Sequence, residues 1–144
     1  MSINYIIDQK ATQIIYDVHD IMYSDFERCT FEHCDFTTCD FTGTSFIDCI
    51  FISCNFNESR INYVAFRDVS FTDCNFTGVN FVMVDKLIFG VNFTNCVLDY
   101  AKFYTLKLKG TLFCNCSITA ADFMESDLTD AVFLTTATFT KVYL

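Results

Sequence analysis

Nine cysteines, two histidines and eighteen carboxylates are the side chains of this 144-residue chain that could do chemistry. Catalysis needs a nucleophile beside a base, a metal needs converging donors, and a phosphate needs a glycine-rich cradle. No Cys-x-x-Cys occurs, and Cys114 with Cys116 has no second pair at zinc-finger spacing, so no metal and no cofactor are expected. His19 stands apart, and His33 lies between Glu32 and Asp35 as a solvated side chain. Asp25 with Glu27, and Asp127 with Asp130, have the look of catalytic dyads, but they fall in outward slots where nothing suggests desolvation, so they read as a charged outer face. The four glycines are single and far apart. An enzyme is therefore not expected. Direct nucleic-acid binding is not expected either: the net charge is −9, and Lys102, Lys107 and Lys109 make the only basic cluster.

The cysteines recur instead at the interval of a repeat. Phenylalanine or isoleucine occupies every fifth position from Phe26 to Phe81, and an apolar residue resumes that interval from Ile88 to Phe133. A five-residue period is neither helical nor strand-like, so each unit reads as one side of a coil. Two residues before each centre stands a small or β-branched residue, with Lys86 and Leu106 the exceptions, and eight of the nine cysteines take this slot. The large and the small residue both point inward. No carboxylate falls in either slot, as expected when an unpaired buried charge is so costly. Gly43, Gly78, Gly90 and Gly110 each follow a centre by two residues, where a corner would ask for positive φ.

The chain reads as one domain with no apolar run long enough to span a membrane. Its start lacks a basic segment followed by an apolar stretch, so no secretion signal is read. Core cysteines suit a reducing compartment, and a cytoplasmic location is expected. Residues 1–23 leave the fivefold frame and are read as an N-terminal cap, with a short helix at Asp8–His19 as one option. Residues 24–144 form the repeat region, interrupted at 82–87 by Val82, Met83, Val84, Asp85, Lys86 and Leu87. Near the end the frame slips, so that Phe139 and Leu144 would centre the last sides.

A central Phe or Leu, a small residue two before it and polar residues elsewhere make Ser24–Phe133 resemble the pentapeptide-repeat family. The resemblance implies an all-β, right-handed quadrilateral β-helix with four units per coil and about five to six coils. Cys29 would then stack under Cys49, and Cys34, Cys54 and Cys74 would share a column. Side chains pointing the same way in such a column are poorly placed for disulfides. Tyr5-Ile6-Ile7-Asp8 and the stretch Phe56–Asn95 are similar to bacterial quinolone-resistance-like members. That likeness implies a protein partner, DNA gyrase or topoisomerase IV, engaged by DNA mimicry. Asp25, Glu27, Asp48 and Asp68 would be the contact face, and the loop 82–87 a second contact. No C-terminal helix is evident here, so a monomer or weak dimer is expected rather than the family's dimer. A structural or interaction scaffold with an unknown partner is the competing reading.

Overall fold

Pairing each residue with one a full coil away lets a five-residue side close into a square. The computed structural model describes residues 4–134 and 141–144, and it winds as a parallel β-solenoid of about seven coils. Its strands are short: β1 (Asn4–Ile7), β2 (Lys10–Thr12), β3 (Ser24–Glu27), β4 (Thr30–Glu32), β5 (Ser45–Ile47), β6 (Ile50–Ile52), β7 (Ala65–Thr72), β8 (Phe89–Thr94), β9 (Leu112–Cys114) and β10 (Val132–Leu134). Every pairing is parallel and joins neighbouring coils: β1–β3–β5–β7 up one side, β2–β4–β6–β7–β8–β9–β10 up the next. Isolated bridges such as Ile15↔Asp35↔Asn55↔Asn75 and Asp40↔Arg60 complete the other two sides.

Rings fill the interior. One ladder runs Phe31–Phe51–Phe71–Phe93–Phe113–Phe133, with successive rings stacked at 4.7, 5.0, 5.4, 5.5 and 4.7 Å between centroids. Tyr16–Phe36–Phe56–Phe76 forms another at 4.7, 5.1 and 4.5 Å. Across the interior the rings meet edge to face, as Phe46 does with Phe51 at 5.0 Å and 76°. Offset stacking and edge contact are the two arrangements that the aromatic quadrupole favours.

The small slot has a second requirement beyond size. Each buried thiol points at a backbone carbonyl of the preceding coil: Cys49 at Phe26 O (3.5 Å), Cys54 at Phe31 O (3.4 Å) and Cys74 at Phe51 O (3.5 Å). Thr44 makes the same contact to Ile21 O at 2.8 Å with a hydroxyl. All nine cysteines are free thiols. Burial pushes Cys39 and Cys49 up to about 11, so these thiols stay protonated donors at neutral pH.

Corners are built on positive φ, and glycine is not their marker. His33, Asp48 and Ala120 hold φ of 53°, 52° and 56°. On two sides the corner is a hydrogen-bonded turn, as in Cys39 N–H to Phe36 O at 2.9 Å. An Asp or Asn just before the centre locks these turns. Asp35 Oδ1 accepts the Thr37 N–H (2.9 Å) and hydroxyl (2.5 Å), and Asp40 does the same for Thr42. Asn75 repeats the arrangement with Thr77. Gly43 is required for a different reason: a Cβ there would lie 2.6 Å from Cδ1 of the Tyr23 ring packed over it.

Several sequence expectations are corrected. Residues 4–23 do follow the frame. Ile6 and Ala11 pair in register with Phe26 and Phe31, and Ile21 is buried, so this segment is the first coil and raises the coil number above five to six. The frame was hidden because Ala11 and Tyr16 are not typical centres. Asp8–His19 contains strand and turn rather than helix. The centre expected at Ile88 belongs to Phe89, which pairs with Phe66 and packs on the core, while Ile88 is 41% exposed. Lys86 stands five residues after Phe81, and burying its ammonium would be prohibitive, so the chain detours until the next ring can enter. Gly90 lies in β8 instead of at a positive-φ corner. Leu144 is 75% exposed and Val142 packs inward in its place; Phe139 lies outside the described residues.

Three outcomes are expected. Phe56→Ala removes a fully buried ring from mid-ladder and should cost about 3–5 kcal/mol, whereas Phe133→Ala, at a half-buried position, should cost clearly less; equal losses in chemical denaturation would contradict the ladder. Thiol titration should return nine groups after denaturation, and native protein should react slowly except at the partly exposed Cys114. Thr37 holds the Asp35 carboxyl below its usual range through its hydroxyl and N–H. Because the folded value is the lower one, that contribution is complete above the unfolded value of about 3.9 and fades as pH falls through the folded value. Asp35→Ala should therefore cost about 1 kcal/mol at pH 7, while Asp35→Asn, which keeps the acceptor, should be near neutral and lose less stability in acid. Equal destabilisation of the two variants at pH 7 would refute the turn-locking role.

Candidate partner-binding surface

The carboxylates outside the rod do two different jobs. Those just before a centre on the turn-bonded sides, Asp35, Asp40, Asp122 and Asp127, have an oxygen committed to a backbone N–H two residues on. Thr129 holds Asp127 below its usual range, and in Asp40 burial pushes upward but is outweighed by the Thr42 hydroxyl and N–H. These groups are corner fittings first and surface charge second.

Asp25, Glu27, Asp48 and Asp68 lie on the flank formed by β1, β3, β5 and β7. The structure brings all four to one side but in unequal states. Asp25 accepts the Ser45 hydroxyl at 2.6 Å. Glu27 accepts the Tyr5 hydroxyl and, at 2.8 Å, the Arg28 guanidinium. Arg28 also grips Asp8 with two hydrogen bonds, 2.7 and 3.2 Å, one coil away. That fork holds the Asp8 carboxyl below its usual range, and the Glu27 carboxylate pushes the Tyr5 hydroxyl up. Asp48 and Asp68 occupy successive coils at the same corner, both exposed with φ of 52° and 54°. Among the described residues neither carboxylate meets a donor or a cation. The flank is thus a neutralised patch around Arg28 followed by a free pair of charges.

The interruption is narrower than 82–87. Val84 is buried at 4% exposure, and the Val82 N–H is held by Asn80 Oδ1 at 2.9 Å. Asp85 Oδ1 accepts the N–H groups of Leu87 (2.9 Å) and Ile88 (3.2 Å) and so folds a tip at Lys86–Ile88. Leu87 is 91% exposed at that tip, and Lys86 reaches the Thr105 hydroxyl at 3.2 Å. A shallow groove lined by Arg67, Asp68, Leu87 and Gly90 joins the tip to the acidic flank. Sequence reasoning missed this juxtaposition, and it also missed Ile88, Tyr5 and Arg28. Arg28 alone had a legible signal, since it stands twenty residues after Asp8.

The pentapeptide repeat region family model matches residues 24–85. No curated protein matches the chain. Among solved structures it is similar to trypsin-treated QnrB1, a plasmid-mediated fluoroquinolone resistance protein, at 20% identity and a TM-score of 0.49, covering 98% of this chain and 80% of that one. It is also similar to the pentapeptide repeat protein Rfr23 from the cyanobacterium Cyanothece 51142, at 11% identity and a TM-score of 0.37, over 95% of this chain and 88% of that one. HetL, a pentapeptide repeat protein involved in heterocyst differentiation regulation from the cyanobacterium Nostoc sp. strain PCC 7120, aligns at 13% identity and a TM-score of 0.25, over 96% and 87%. Residues 24–85 thus match the pentapeptide repeat region model, and the same filled interior continues as far as Phe133.

Proposed function

We propose that this protein works in the cytoplasm by binding, without catalysis, and that its acidic flank is a DNA-like ligand for the basic cleft of DNA gyrase or topoisomerase IV. The observation that carries this reading is the pair Asp48 and Asp68, exposed and unneutralised at one corner of successive coils, with Asp25 and Glu27 on the same side. Strand spacing puts such charges ~4.8 Å apart along the rod. Duplex DNA carries one charge per ~1.7 Å of axis, so a single column presents a diluted version of that field and needs the neighbouring columns to reinforce it. A rigid rod holds them in place without the ordering cost that a flexible acidic tail would meet on binding.

A second reading, a scaffold that grips an apolar partner, is favoured by the Leu87 tip and by the exposed rings of Tyr63 and Tyr100. Salt separates the two readings. Attraction between charges weakens as the screening length shortens from ~10 Å at 0.1 M to ~3 Å at 1 M, whereas burial of Leu87 would persist. Binding to purified gyrase is expected at micromolar protein and should fall steeply with salt. Changing Asp25, Glu27, Asp48 and Asp68 together to their amides should abolish that binding, and any effect on supercoiling, with the fold intact; Leu87→Asp should weaken it little. Absence of binding by the unmodified protein would remove the DNA-like reading. A complex that survives 1 M salt and is lost with Leu87→Asp would establish the scaffold.

A further inference from the structure

The ring ladder that rises from Phe133 stops one coil short of the N-terminal end. Beyond Phe31 the next position in register is Ala11, so the backbone ladder continues while its ring is missing. The space left is a cavity of ≈ 260 Å³ at the mouth of the rod. Phe31 forms its floor, Ile6 and Ile21 line it, and Phe26 and Tyr16 stand edge-on to Phe31 at 74° and 63°. A ring laid on Phe31 would have one parallel neighbour, where rings inside the ladder have two, and the same kind of edge contacts at its sides.

We propose that this mouth is a binding site for a small, neutral, monocyclic aromatic molecule, seated where the coils beyond carry phenylalanine. Size permits it, since an apolar cavity of about 150 Å³ is enough to bind benzene. Polarity favours it over water, which needs two to four polar partners. Of the uncharged polar side chains in the lining, the Cys29 thiol points at Ile6 O and Glu27 O, the Ser24 hydroxyl at Met22 O and the Gln9 amide at Ile7 O, which leaves Asn4, Thr30 and Tyr16, too few partners to hold water throughout the space. Neutrality follows from the rim. The Lys10 ammonium is held by Glu32 at 2.9 Å and the Asp20 carboxylate by the Asp17 N–H at 2.7 Å, so a charged substituent would have to displace one of them.

Fluorobenzene is a suitable probe, followed by fluorine NMR and by thermal unfolding of the full chain. Saturable binding of fluorobenzene at low millimolar concentration is expected, with an unfolding midpoint that rises with ligand concentration. Ala11→Phe supplies the ring from within; it should raise the midpoint of the unliganded protein and eliminate the ligand-dependent shift. If that variant fails to fold, Ala11→Val narrows the same space and should weaken binding several-fold. Tyr63→Ala, a remote exposed ring, should bind as the unmodified protein does. No saturable binding, or undiminished binding by Ala11→Phe or Ala11→Val, overturns the proposal. It is also overturned if sedimentation shows a self-association that Ala11→Phe removes and fluorobenzene does not compete with, because the occupant would then be a second copy.

Discussion

Two spacings coincide inside this rod, and the rest of its structure depends on the coincidence. Backbone hydrogen bonds between parallel strands fix neighbouring coils ~4.8 Å apart, and offset-stacked aromatic rings settle at ~4.5–7 Å between centroids. The ladders here stack at 4.5 to 5.7 Å, so ring and backbone are satisfied by one translation. A leucine can fill the same position, as Leu98 and Leu108 do, but it supplies no edge to its neighbours on the adjoining side. Because every interior position is defined by the coil beneath it, contacts are nearest-neighbour and the exterior is free to vary.

That freedom has limits at the corners. Among the described residues nearly every side turns on a residue at positive φ, with those at Val18, Met83 and Gly90 the exceptions, and the cost of seating a non-glycine there is spread along the rod. Compensation comes from side chains whose chemistry is easily mistaken for function. The Asx groups before the centre fasten the turn, and the thiols point at backbone carbonyls of the preceding coil. Cysteine suits that slot because it is small, apolar and still a weak donor. Much of the acidity of this chain therefore follows from the way it turns, and Asp48 and Asp68 are informative because they fasten nothing.

The interior was legible from spacing because every buried centre obeys one period. What hid from it were the places where period and residue type disagree. Ala11 and Tyr16 hold the frame with unusual residues, so the first coil read as a cap although its strands pair in register with the second. Lys86 broke the frame with a charge, and the spacing alone could not say whether Ile88 or Phe89 would re-enter. Only packing against Phe66 and Phe81 decides for Phe89. On the flank, the sequence gives the carboxylates their side of the rod but not their partners. A long arginine side chain can reach the coil above or a neighbour in its own coil, and Arg28 does both.

The same logic accounts for the asymmetry between the ends and the middle. A coil in the middle has two neighbours, so a missing ring there would leave a void enclosed by stacked residues, and the centres vary only among Phe, Leu and Ile, with small or β-branched residues and Leu106 two places before them except at the interruption. The first coil has one neighbour. Among the described residues its strands β1 and β2 pair only with β3 and β4, and an unpaired strand side is an edge of the kind that invites association. Lys10, paired to Glu32 and 61% exposed, places charge on that edge, and Ala11 beside it lowers the apolar bulk offered to another strand. An alanine that weakens the ladder thus also makes the end a poor surface for continued stacking.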